Sequence, residues 1–220
     1  MEFSSQLQSS ANIFWEKEKT HEFILGIGSG NLETRKFTYY LKQDYIFLIG
    51  FCKVISIAIS KSPDLSYMLF LSTLLKETLS TEMNLHVEYC GEFNIQHEDL
   101  KKTNPSPTTL GYINHMIESA QIKGFLHALV AILPCAWSYG EIASNLKNNN
   151  SYSSDNKYNK WITMYASDQF KALAVSLISI INKESKELSE KEKMQLQKTF
   201  VKSSEYEYLF WEASWDMEIW

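Results

Sequence analysis

Ala131-Ile132-Leu133-Pro134-Cys135-Ala136-Trp137-Ser138-Tyr139 decides how this chain is read. The stretch continues a helical apolar repeat, yet it carries a proline. A proline inside a helix has no N–H to donate and crowds the carbonyl four residues back, here that of Val130. A cysteine follows directly and a tyrosine comes one helical turn later, so Cys135 and Tyr139 share a face. Local rules broken without an evident structural gain point to function. The remainder of the chain reads as helices placed around this bend.

On the same helix, predicted over 125–146, Ala128, Ala131, Ile132, Cys135, Tyr139 and Ile142 form one stripe. Gly124 separates it from a helix over 108–122 that carries Tyr112 and Met116. Upstream, the spacing predicts a helix over 4–25, with Leu7, Ile13, Phe14 and Phe23 facing inward. Gly26-Ile27-Gly28-Ser29-Gly30 then reads as a helix end and turn; no strand precedes it, as a phosphate-binding loop would require.

A second helix over 34–61 places Phe37, Tyr40, Leu41, Asp44, Leu48, Phe51 and Ile55 on one face. Ser62-Pro63 reads as an N-cap and first-turn proline opening a third helix that runs to Cys90. Residues 93–107 read as a connection. Downstream, 147–158, with Asn148-Asn149-Asn150-Ser151 inside it, reads as a surface loop. A helix over 155–183 aligns Trp161, Ile162, Tyr165 and Gln169. Ser189 and Glu192 form a capping box for a last helix, on which Leu196, Phe200, Ser204, Glu207, Phe210, Trp211 and Ser214 line up.

Four prolines and eight glycines in 220 residues leave little punctuation, and no stretch alternates as a strand does. The fold class is therefore all-α, as a single domain over 1–220. Composition narrows the function. Arg35 is the only arginine among 21 basic residues and the net charge is −5, which disfavours nucleic acid, whose phosphates and base edges favour arginine forks. Three cysteines, Cys52, Cys90 and Cys135, without a C-x-x-C pair, speak against a disulfide framework or zinc knuckle. The first residues are polar rather than a basic-then-apolar signal, and no apolar run suggests a membrane span. A reducing cytoplasm is the expected setting.

Three polar groups lie on otherwise apolar stripes of separate helices: Asp44, Cys135 and Glu207. Carboxylates are rarely buried unless paired or hydrogen-bonded; for Asp44 a position at the stripe's edge, held by a neighbouring helix, is the alternative. A thiolate nucleophile needs a nearby proton acceptor, and a carboxyl in an apolar setting can serve as general acid and base. Thirty Phe, Trp and Tyr residues supply walls for a flat heterocycle, whose exocyclic amine a carboxylate can accept from. Cys52 and Cys90 read as packed thiols. His21, His86, His97, His115 and His127 read as surface or structural, and Glu82 with His86 as a solvated or structural pair rather than metal ligands.

The segments Tyr39-Tyr40-Leu41-Lys42-Gln43-Asp44-Tyr45, Leu133-Pro134-Cys135-Ala136-Trp137-Ser138-Tyr139, Trp161-Ile162-Thr163-Met164-Tyr165-Ala166-Ser167 and Glu205-Tyr206-Glu207-Tyr208-Leu209-Phe210-Trp211 resemble, in order and spacing, the TenA/thiaminase II family of aminopyrimidine-processing enzymes. The resemblance spans nearly the whole chain. It implies a helical bundle of the haem-oxygenase-like type, assembled as a homotetramer, without a cofactor or a metal. The implied reaction is hydrolysis of 4-amino-5-aminomethyl-2-methylpyrimidine to the hydroxymethylpyrimidine and ammonia for thiamin salvage, together with cleavage of thiamin. Carried across by position, Cys135 corresponds to the nucleophile, Glu207 to the proton donor for the departing amine, and Asp44 to the group binding the ring's amino group and nitrogen. Tyr139 and Tyr165 correspond to ring-orienting hydroxyls, Phe210 to an aromatic wall, and Tyr112 to a hydroxyl near the cysteine. Phe47 departs from the family, many members of which have a tyrosine there whose hydroxyl assists the thiol.

Two other classes remain open on sequence. Glu18 and His21 form one Glu-x-x-His spacing, as in a haem- or metal-dependent oxygenase, although a bundle di-iron site uses that spacing on two helices. A non-catalytic regulatory protein that binds a pyrimidine is the other.

Overall fold

The structure, a computed structural model, describes residues 2–148 and 153–220, with backbone alone at 81, 82 and 85. The all-α expectation holds: 82% of the described residues are helical, and no strand occurs among them. The chain divides into two compact units, one of residues 1–33 and 129–212, the other of residues 34–128 and 213–220.

In the first unit, α1 (Phe3–Lys19) buries Phe3, Leu7, Ala11, Trp15 and Glu18 on one stripe. Leu7 and Phe23 are buried as expected, but Ile13 is exposed and Phe14 only half-buried. The expected helix over 4–25 also breaks. His21 turns extended and its Nδ1 accepts from the Phe23 N–H at 3.1 Å, capping α2 (Glu22–Ser29). Gly30 then ends α2 in the left-handed region, at φ 74°. The stripe of α1 meets Trp137 and Phe200, with Trp15 edge-on to Trp137 at 5.2 Å.

A second break divides the helix expected over 155–183. Ser167 caps α10 (Asp168–Glu184) by accepting from the Phe170 N–H, so α9 (Asn159–Tyr165) stands alone. The break resets the register; Trp161, Ile162 and Tyr165 are buried, but Gln169 is exposed. The loop expected at Asn149, Asn150 and Ser151 lies outside the described residues. Just after it, Asn156 donates to the carbonyls of Ile27 and Gly28, and the Tyr158 hydroxyl donates to that of Leu32.

The second unit is built on α3 (Thr34–Ser60), whose stripe is buried as expected, Asp44 included. A β-carbon at Gly50 would come within 2.7 Å of Ile113, so the glycine permits the close approach of α7 (Pro107–Glu118). Asp64, rather than Ser62, caps α4 (Leu65–Glu77), accepting from the Ser66 N–H at 2.7 Å. A π-helical turn at Thr78–Glu82 joins α4 to α5 (Met83–Glu92), and another, at Ser119–Lys123, follows α7. The connection over 93–107 contains a short helix, α6 (His97–Lys102). The C-terminal residues lock this unit: the Glu218 carboxylate accepts from the Thr108 N–H and hydroxyl at 2.9 and 3.1 Å, in the first turn of α7, where negative charge suits the helix dipole.

Two helices complete the chain. α8 (Phe125–Lys147) runs without interruption through Pro134. α11 (Glu190–Asp216) begins with the expected Ser189–Glu192 box: the Ser189 N–H and hydroxyl donate to the Glu192 carboxylate at 2.8 and 2.6 Å. By length and hydropathy α3 and α8 could each cross a membrane, but more than half of each apolar stretch is buried within the fold, as a core helix requires.

Candidate active site

In the first unit the family-matched residues come from α8, α9 and α11. Cys135 is half-buried, one turn before Tyr139. The Tyr139 ring lies 4.9 Å from Trp211, 5.0 Å from Tyr165 and 5.9 Å from Trp161. Phe210 joins this cluster against Trp211 at 6.4 Å. Offset and edge-on rings at such separations interact favourably and form a rigid wall. Glu207 is buried one turn before Trp211, and Ser204, on the same face, accepts the Trp15 indole N–H at 3.1 Å. The sequence-predicted residues Cys135, Tyr139, Tyr165, Glu207 and Phe210 thus belong to one unit.

That unit holds a further carboxyl, Glu18, that the sequence reading assigned only to the Glu-x-x-His spacing. Burial pushes its pKa up to about 8; Ser138, Trp211 and Lys19 act in the opposite sense. Ser138 and Trp211 act on it as hydrogen-bond donors, though among the described residues no contact to either Glu18 oxygen reaches full hydrogen-bond geometry. The signal was available: Glu18 continues the stripe of Leu7, Ala11 and Trp15. His21 Nδ1 is committed to the α2 cap and its Nε2 faces Glu212 at 3.6 Å. Among the described residues no three of His, Cys, Asp and Glu cluster as metal ligands do.

In the second unit are Asp44, Phe47 and Tyr112. Phe47 packs on Tyr112 at 5.0 Å and on Phe51 at 6.2 Å. Asp44 is buried, and desolvation lifts its pKa to about 7. Its neighbour is a residue that sequence reasoning set aside: His86 of α5 places Nδ1 3.3 Å from Asp44 Oδ2. His86 Nε2 lies 2.9 Å from the Leu41 carbonyl, and burial lowers the imidazole pKa. The Glu82 side chain, paired with His86 in the sequence reading, lies outside the described residues. The buried Gln43 fixes this part of α3, donating to the Asn104 carbonyl at 3.1 Å and accepting from the Ser106 N–H at 2.9 Å.

An all-helical chain with an aromatic cluster, a half-buried thiol and acids held near or above neutrality defines a class of all-α helical bundles. The fold matches a domain of heme oxygenase-like fold from Shewanella denitrificans OS217, with a TM-score of 0.76, 12% identity and coverage of 99% of this chain and 93% of that one. A TenA homologue from P. horikoshii OT3 superposes with a TM-score of 0.91 at 27% identity, covering 98% and 99% of the two chains. In sequence the chain is 40% identical to the aminopyrimidine aminohydrolase of Halalkalibacterium halodurans, over all of this chain and 98% of that protein. Residues 9–217 match the model of the TENA/THI-4/PQQC family, and the chain belongs to that family.

Proposed function

We propose that this chain is an aminopyrimidine aminohydrolase of thiamin salvage. It converts 4-amino-5-aminomethyl-2-methylpyrimidine to the hydroxymethylpyrimidine and ammonia, and cleaves thiamin by the same route. The observation that carries the reading is full-length likeness, at 40% identity, to a protein of that name. A half-buried Cys135 and a buried Glu207, in the same unit as the Tyr139–Trp211–Tyr165 rings, support it.

In this reading the Cys135 sulfur adds to the pyrimidine ring and ends its aromaticity. The electron pair gained by the ring expels the substituent on the exocyclic methylene, and Glu207 gives the departing amine its proton. Water adds at the methylene, releasing a proton back to Glu207, and expulsion of the sulfur restores the ring. Asp44 accepts from the ring's amino group, Tyr139 and Tyr165 orient the ring, Phe210 walls it, and Tyr112 places a hydroxyl for the thiol. Splitting one displacement into addition and elimination is what covalent catalysis contributes. The protein works in the cytoplasm as a homotetramer with no cofactor.

The test is ammonia release from the aminomethylpyrimidine, run beside thiamin cleavage, on wild type and Cys135→Ser. Release by wild type and its loss in the variant are expected. A wild type that binds the pyrimidine, as seen in a raised melting temperature, yet releases nothing would make it a binding protein instead.

A further inference from the structure

The Glu18 carboxyl bears on one ring of the candidate site by two routes. It is fully buried on α1, and the Ser138 hydroxyl of α8 and the Trp211 indole N–H of α11 act on it as donors. Ser138 is the residue before Tyr139. The Trp211 indole packs on the Tyr139 ring, with centroids 4.9 Å apart at 35°. The same helix reaches α11 through Trp15, whose indole N–H donates to Ser204 at 3.1 Å. Ser204 and Trp211, the two polar anchors of α1 on α11, thus bracket Glu207 along that helix. All of these residues belong to the first unit.

Ring packing alone does not aim the Tyr139 hydroxyl. Tyr165 at 5.0 Å and Trp161 at 5.9 Å enclose the Tyr139 ring, but offset and edge-on arrangements of aromatic rings are both favourable. The χ2 torsion of a tryptophan is also broad. A hydrogen bond is directional, and an indole has a single N–H to direct. An acceptor on that N–H sets the plane of Trp211, and with it the surface on which Tyr139 rests.

We propose that Glu18 is a positioning residue: by accepting from Trp211 and Ser138 it sets the orientation of Tyr139, and through the Tyr139 hydroxyl that of the pyrimidine ring. This rests on the reading of Tyr139 as a ring-orienting group. A carboxyl suits the task because its two oxygens serve two donors at once. Burial keeps it mostly protonated at neutral pH. Its carbonyl oxygen then accepts, while the other oxygen shares a hydrogen with Ser138, whose hydroxyl both donates and accepts. A misplacement on the order of 1 Å, even one caused far from the chemistry, can cost about 100-fold in rate, so an anchor behind Tyr139 is felt in turnover.

A double-mutant cycle on the full chain tests this, read as kcat/KM for ammonia release. Glu18→Leu keeps the bulk and removes both acceptors. It is expected to cost about tenfold in wild type and less than about twofold in Tyr139→Phe, where no hydroxyl is left to aim. A merely structural role gives the same loss in both backgrounds, and equal losses overturn the proposal. Glu18→Gln keeps one acceptor oxygen and is expected to recover most of the loss; a Gln variant as slow as the Leu variant overturns it too. In nitrogen-15 NMR the Trp211 indole N–H resonance is expected to move upfield in Glu18→Leu, and an unmoved resonance counts the same way. If Glu18→Leu does not fold, Ser138→Ala, which removes one of the two donors, goes through the same cycle and is judged by the same outcomes. A wild type that releases no ammonia defeats the reading of the reaction; the cycle read as Kd for the aminomethylpyrimidine, with the indole resonance, then decides Glu18.

Discussion

The rings of Tyr139 and Trp211 lie 4.9 Å apart at 35°, so that the helix carrying Cys135 packs through this contact on the helix carrying Glu207. Packing and chemistry can be separated here. Tyr139→Phe keeps the ring and removes the hydroxyl; it is expected to leave the melting temperature within about 2 °C while lowering kcat/KM by about tenfold, one lost orienting hydrogen bond. Tyr139→Ala is expected to destabilise the fold by roughly 3–5 kcal/mol. Urea unfolding beside kinetics reads the split, and equal destabilisation by both variants would make the hydroxyl structural.

Glu207 can be tested through the leaving group. Ammonia departs from the aminomethyl substrate only with a proton, whereas thiamin's thiazolium departs as a neutral thiazole and needs none. Glu207→Gln is therefore expected to slow ammonia release by about 10²–10⁴-fold and thiamin cleavage much less. Equal losses on the two substrates would move Glu207 from leaving-group acid to base for the thiol or water.

What was legible in the sequence follows physical reach. Along α3, α8 and α11 the helical repeat persists for many turns, so the burial of Asp44 and Glu207 could be read from the stripes that they interrupt. The breaks at His21 and Ser167 could not, because each needs only one side chain to capture one N–H, and the apolar period carries on across it. α1 offers two apolar faces, one through Ile13 and Phe14, the other through Trp15 and Glu18; only tertiary packing chooses the second. The π-helical turn at Thr78–Glu82 carries an extra residue, which shifts the register between α4 and α5 in a way that simple spacing does not show. The Asp44–His86 contact joins two helices and leaves no mark in either one's pattern.

Phe47 packs face-tilted on Tyr112 at 5.0 Å and carries no polar atom of its own. Phe47→Tyr adds one hydroxyl to that ring. If a hydroxyl at this position assists the thiol, as the family pattern implies, ammonia turnover rises in the variant, by about 2- to 10-fold on the scale of one hydrogen bond. An unchanged or lower kcat, with the fold intact by circular dichroism, would count against such a role.

Glu18 makes the stability of the first unit depend on pH in the direction opposite to a salt-bridged acid. Its pKa is about 8 in the fold against 4.5 for an ordinary glutamate. Below 4.5 both folded and unfolded chains hold the proton, and the group contributes nothing to pH dependence. Between about 4.5 and 8 the unfolded chain releases its proton while the folded chain keeps it, so stability falls as pH rises. Above that range both are ionised, and the full burden of a buried charge, on the order of a few kcal/mol, remains. Glu18→Gln keeps the shape and removes the titration. Its melting temperature is expected to match wild type near pH 5 and exceed it by several degrees at pH 8. Asp44, pushed up to about 7 by burial, slopes the same way. Wild type and variant share that contribution, so the difference between their curves isolates Glu18, and parallel curves would mean that its carboxyl finds solvent.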